Sequence, residues 1–158
     1  MKKLIISFCL MSFLAVAGYA QTVKVGEKAP DFTAQNIDGK MITLSSLQGK
    51  YVVLDFWGSW CGWCIKGFPD MKTAYAKHKP KVEIIGIACG DSVEKWKAAT
   101  KKHELPWISV LNPSDGDLTK VYGVKAFPTK IVIDPQGKVL KAVRGEDPAF
   151  YTYLDEIL

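Results

Sequence analysis

Apolar and polar positions along this chain switch between the strand and helix periods, and the switches mark its elements. Residues 51–57, Tyr51-Val52-Val53-Leu54-Asp55-Phe56-Trp57, are nearly all apolar, with β-branched and aromatic members. A run that short predicts a strand buried on both faces. Gly58 and Ser59 break it. Residues 61–78 then read as a helix containing Pro69, where a kink is expected. A second buried strand is predicted over 82–88. Asp91 and Glu94 stand three apart as candidate caps for a helix over 92–103, which Pro106 stops. A short strand over 107–111, a loop over 112–116 and a short helix to Tyr122 follow. Residues 129–133 and 138–143 read as strands joined by the turn Asp134-Pro135-Gln136-Gly137. Asp147-Pro148 opens a last helix, Asp suiting the N-cap and Pro the first helical position. Upstream, Asp38-Gly39 predicts a hairpin between 32–34 and 41–44, with a turn over 45–49 after it. Strands alternating with helices imply an α/β layer fold, a central mixed sheet flanked by helices, with an N-terminal hairpin.

The first twenty residues stand outside this pattern. Met1-Lys2-Lys3 is a basic start, residues 4–17 are apolar apart from Ser7 and Ser12, and Gly18-Tyr19-Ala20 offers small residues at both positions a signal peptidase reads. This predicts a signal peptide over 1–20 and one domain over 21–158, exported to the periplasm or an equivalent extracytoplasmic space and soluble after cleavage. The apolar run is short for a membrane span, so an uncleaved anchor is the weaker reading. Cys9 reads as an ordinary apolar position of that segment.

Length and composition agree with a single folded domain: 158 residues, 48% hydrophobic and 23% charged. The net charge of +5 falls to +3 once Lys2 and Lys3 are removed. No block of like charges suggests nucleic acid as a partner. No phosphate-binding or dinucleotide fingerprint is present, so no cofactor is expected. The run over 95–102 reads as a solvated helix face, and His78 and His103 as solvated charges near helix ends.

The mature chain keeps Cys61, Cys64 and Cys89, too few and too odd for a disulfide scaffold. Cys61-Gly62-Trp63-Cys64 puts two cysteines three apart at a predicted helix start, on one face and close enough to bond. Unpaired backbone N–H groups and the helix dipole favour a thiolate at Cys61, and the thiolate is the nucleophile of disulfide exchange. Zinc would need two more ligands, and Cys89, His78 and His103 lack the spacing, so no metal is expected. A static disulfide is the other alternative, disfavoured by the strand–helix junction.

Val53 to Cys64 resembles the active-site stretch of thioredoxins, and Phe127-Pro128-Thr129 matches that family's cis-proline loop. Gly26-Glu27-Lys28-Ala29-Pro30-Asp31-Phe32, the hairpin after it and the extra helix over 92–103 are similar to the exported TlpA/ResA branch. The resemblance spans roughly residues 25–158. It implies a thioredoxin-like fold and a protein disulfide oxidoreductase acting on protein thiols and disulfides, with a membrane-bound electron donor as a further partner. Some relatives of this branch serve cytochrome c maturation. It also implies an exposed attacking thiol at Cys61, a buried resolving thiol at Cys64, and a cis Pro128 in a substrate groove that Trp60, Gly62, Trp63 and Phe127 would share.

Asp55 matches the buried acid that thioredoxins place behind the resolving cysteine. An ionised carboxylate in an apolar strand is costly, so a raised pKa would let it accept and return the proton of Cys64. The alternative is an Asp on the solvent side of an edge strand. Cys89, at the end of strand 82–88, is either an auxiliary thiol near the pair or a small buried hydrophobe, the second being favoured. Trp57, Trp60 and Trp107 suit core or groove walls. Two departures stand out. Relatives often carry an acid where this chain has Gly67, and a proline where it has Trp63. The N-terminal region also resembles peroxiredoxins, so a peroxidase is a rival function, and a non-catalytic peptide-binding or chaperone module is a third.

Overall fold

The computed structural model describes residues 23–158, so the expected signal peptide over 1–20 lies outside the described residues. The elements follow the order the sequence predicts: β1 Thr33–Gln35, β2 Met41–Thr43, a 3₁₀ turn Leu44–Leu47, β3 Tyr51–Trp57, α1 Gly62–His78, β4 Val82–Ala88, α2 Val93–Lys102, β5 Ile108–Leu111, α3 Leu118–Val121, β6 Thr129–Ile133, β7 Val139–Arg144 and α4 Pro148–Ile157. β1 and β2 pair antiparallel as the hairpin. The main sheet runs β5-β4-β3-β6-β7, with β3 parallel to β4 and antiparallel to β6.

β3 is therefore central, which explains its near-continuous apolar run: six of its seven residues are buried. Alternate residues feed two cores. Val53 and Trp57 pack on one face with Phe68 and Met71 of α1, Trp96 of α2, and Phe150 and Leu154 of α4. Leu54 and Phe56 pack on the other with Ala34 of the hairpin and with Leu118 and Tyr122. Each fully buried Leu or Phe contributes about 1.5–3 kcal/mol over leaving it exposed.

Three local expectations are corrected. Asp91 does not cap α2. Ser92 does, accepting from the Lys95 amide, and the Asp91 carboxylate instead turns back to Ser59. His78 is not solvated: α4 covers it, and its Nε2 lies 2.6 Å from Asp155 Oδ1. His103 packs on the Phe68 ring at 5.5 Å, and desolvation, helped by Lys102 and Lys72, lowers its pKa. The Asp147 cap holds as expected, its side chain accepting from the Ala149 amide at 2.9 Å with Pro148 in the first turn. Asp147→Ala should cost about 1 kcal/mol, seen as a lower urea midpoint with unchanged slope.

Candidate functional site

β3 delivers the site. Its carboxyl end is followed by a tight turn in which the Cys61 amide donates to the Gly58 carbonyl at 3.0 Å, and α1 then begins. Cys61 is the N-cap of α1: its backbone is extended, and its Sγ accepts from the Cys64 amide at 3.2 Å. The sulfur thus takes the place a Ser or Asp oxygen takes at other helix starts, where free N–H groups and the helix dipole stabilise negative charge. Cys61 and Cys64 form a disulfide, with Cα atoms 5.3 Å apart.

The expectation of an exposed Cys61 is corrected for this oxidised form. Cys61 is 6% exposed and Cys64 3%. The Cys61 sulfur turns inward to cap the helix and bond Cys64, and both cysteines join the core cluster that Phe127 packs against. The exposed surface beside them is apolar instead. Trp60 is 57% exposed and Trp63 64%, and space around Gly62 is open. The Phe127–Pro128 peptide is cis, and Phe127 meets the Trp60 ring edge-on at 5.3 Å. Trp60, Phe127 and the disulfide are thereby brought together. Trp63 lies on the first turn of α1, with the Lys66 ammonium 4.8 Å from its ring centre.

The turn before the cysteines is tied from the β4–α2 loop, which sequence reasoning missed. Asp91 accepts from the Ser59 amide at 2.8 Å and from its hydroxyl at 2.6 Å. The Trp60 indole N–H donates to the Cys89 carbonyl at 2.9 Å. A side chain at Gly58 would run into both that indole and that carbonyl, so glycine is required there by close approach.

Asp55 lies on the central strand, which removes the edge-strand alternative. It is 2% exposed, in register with Gly86 of β4 and Lys130 of β6. Strand alternation puts it on the same face as Val53 and Trp57, the face that carries the cysteine pair. Burial raises its pKa from 3.8 to about 6; Lys130 pulls it down in part, and Glu146 pushes it up. Its Oδ1 lies 3.9 Å from Lys130 Nζ, close enough for ionic attraction but too long for a hydrogen bond, and it has no other partner among the described residues.

Cys89 is placed otherwise. Its side chain belongs to the second core, with Phe56, Leu118 and Tyr122, on the sheet face opposite Cys61 and Cys64. Burial, with Asp117, Asp55 and Asp91 nearby, pushes its thiol up to about 12. Those features are the ones of a small buried hydrophobe. At Gly67 the missing acid is made good in space: the carboxyl of Glu146, from the β7–α4 loop, occupies the volume a side chain there would fill. A buried lysine in strand 129–133 was as odd in sequence as the buried Asp55, and it was the available signal for this charged group.

The family profile described as AhpC/TSA matches residues 25–142. The thiol-disulfide oxidoreductase ResA of Bacillus thuringiensis subsp. konkukian is 35% identical over 140 residues, 86% of this chain and 80% of that protein. ResA of Bacillus subtilis (strain 168) is 35% identical over 146 residues, 90% of this chain and 81% of its own. Among solved structures, the thioredoxin domain of a thiol-disulfide oxidoreductase from Bacteroides vulgatus superposes with a TM-score of 0.78 at 30% identity, covering 85% of this chain and 97% of that one. Fold and cysteine pair define an enzyme of the thioredoxin-like disulfide oxidoreductase class. The chain belongs to the AhpC/TSA family, among its TlpA/ResA-like redoxins.

Proposed function

We propose that this protein exchanges disulfides with partner proteins, with Cys61 as nucleophile, Cys64 as resolving thiol and Asp55 as the proton acceptor and donor for Cys64. The observation that carries this reading is the Cys61 sulfur itself, seated as the N-cap of α1 within reach of Cys64. In the reducing direction the Cys61 thiolate attacks one sulfur of a partner disulfide. A mixed disulfide forms and the partner's other sulfur leaves as a thiolate. Cys64 passes its proton to the Asp55 carboxylate and attacks Cys61. The Cys61–Cys64 disulfide closes, and the partner leaves with both sulfurs reduced after taking up protons from solvent. Trp60, Trp63, Gly62, Phe127 and Pro128 form the surface on which a partner segment lies, with the aromatic rings supplying apolar contact area.

The proposal extends to export after removal of residues 1–20, leaving a domain over 21–158. Two lysines followed by an apolar run and a small-residue site support it. No helix among the described residues is long and apolar enough to cross a membrane. The ResA-like relationship supports a reductive direction, with a membrane-bound dithiol as electron donor and cysteine pairs of cytochrome c precursors among the substrates. Cys89 is structural in this reading. Equilibration of the protein with glutathione or dithiothreitol buffers should show one two-electron transition that belongs to Cys61 and Cys64. A potential near about −270 mV supports a reductant, and one near about −120 mV would reverse the direction to disulfide formation. The absence of any such transition would leave only a binding module.

A further inference from the structure

Behind the disulfide lies a buried charged group that the exchange chemistry above leaves unused. Lys130 is 2% exposed, on β6. An ammonium in an apolar interior is costly unless it is paired. Lys130 Nζ donates to Glu146 Oε2 at 2.7 Å, and the Tyr151 hydroxyl donates to Glu146 Oε1 at 2.6 Å. Both oxygens of Glu146 are thus held, one from β6 and one from α4. Asp55 Oδ1, 3.9 Å from the same ammonium, is left without a hydrogen bond.

Gly67 explains how Glu146 reaches this place. It lies on α1, one turn after Cys64, and it is buried. A Cβ there would fall closer than 3.0 Å to both carboxylate oxygens of Glu146. Gly67 is not among the glycines with positive φ, so its backbone does not require glycine; the space does. A mid-helix glycine costs about 1 kcal/mol against alanine, and the paired Lys130 and Glu146 give that cost a purpose.

We propose that Glu146 is a positioning residue for disulfide exchange: it enters the space Gly67 leaves open and holds the Lys130 ammonium away from the Asp55 carboxyl. The proposal rests on the exchange reading above, in which Asp55 serves Cys64. The ionisable groups on the Asp55 side of the sheet are Lys130 from β6, Glu146 from the β7–α4 loop, Tyr151 from α4, and Cys64 from α1 when reduced; Cys89, at the end of β4, lies across the sheet. Lys130 favours the ionised carboxylate and Glu146 the protonated one. With Glu146 in place, much of the lysine charge is answered elsewhere, and the Asp55 carboxylate stays basic enough to take the proton of Cys64 and return it. Without Glu146, Lys130 faces Asp55 alone, and the carboxyl gives up its proton at lower pH.

The test is a carbon-13 NMR titration of the Asp55 carboxyl in the oxidised full-length protein, beside the pH profile of disulfide turnover. The wild-type midpoint is expected at about 6. Glu146→Gln should lower it by about one pH unit and Lys130→Met should raise it by about one. The double variant Gly67→Glu/Glu146→Gly, which supplies the carboxylate from α1 instead, should bring it back toward wild type. The acid limb of the turnover profile should move with the midpoint. A midpoint unmoved in folded Glu146→Gln overturns the proposal. Should that variant fail to fold, an unmoved Lys130→Met or a double variant that restores nothing does the same. The titration needs no substrate, so its result is separate from the exchange reading, which turnover surviving without Cys61 would overturn.

Discussion

Replacing Cys61 with serine should reduce disulfide turnover to the uncatalysed rate, a loss of at least about 10³-fold. The reason is specific to this position. A hydroxyl caps α1 as well as a sulfur does, so the fold should survive, but serine does not form the mixed disulfide that starts exchange. Cys64→Ser should behave differently. Cys61 still attacks, no resolving thiol follows, and the covalent complex with the partner should accumulate and be visible on a non-reducing gel. The pair of outcomes separates the rival functions. A binding or chaperone module would keep its effect in both variants. A peroxidase would consume peroxide stoichiometrically with Cys61 alone, whereas a thiol–disulfide exchanger requires a disulfide partner. Alkylation of the reduced native protein belongs to the same experiment. Cys61 should react and Cys89 should resist, because burial holds that thiol up to about 12. Fast labelling of Cys89 would return it to the list of working thiols.

Much of this site was legible because its signals are local. The apolar run of β3 announced a central strand, and two cysteines three apart after Gly58 announced a helix start. Asp55 stood out because a carboxylate has no ordinary place in such a run. What the sequence did not carry was sidedness and long-range fit. Cys89 ends a strand beside β3, so its nearness to the pair was a fair expectation. Alternation along β4 sends it with Ile87 to the opposite core, and only the packing of α1 reveals which core holds the disulfide. Asp91 had the composition of a helix cap, yet its carboxylate finds better donors in Ser59 across the loop. His78 reads as solvated because a charged helix end among lysines looks the same in sequence whether or not another helix covers it. Gly67 read as a missing acid. Its replacement by Glu146 depends on two segments meeting in space, and no spacing rule connects them.

Asp55→Asn should stabilise the oxidised protein while impairing its turnover. An acid whose folded pKa is raised binds protons more tightly folded than unfolded. Between about pH 4 and pH 6 the folded state therefore holds more protons, and stability falls as pH rises through that window. Above it the penalty is complete. A rise from 3.8 to about 6 corresponds to about 3 kcal/mol at pH 7. Asparagine keeps the shape and carries no charge to desolvate, and the Lys130–Glu146 pair remains intact beside it. The variant should thus gain up to about 3 kcal/mol at pH 7 and lose the downward slope of stability between pH 4 and 6. In the same protein, turnover should drop by about 10²-fold, the usual contribution of a general acid–base group. Stability and activity moving in opposite directions would identify Asp55 as a group retained for proton transfer at the expense of the fold. Should the variant be destabilised at pH 7 with its slope unchanged, the buried carboxylate would instead be a structural partner of Lys130, and the proton of Cys64 would need another acceptor.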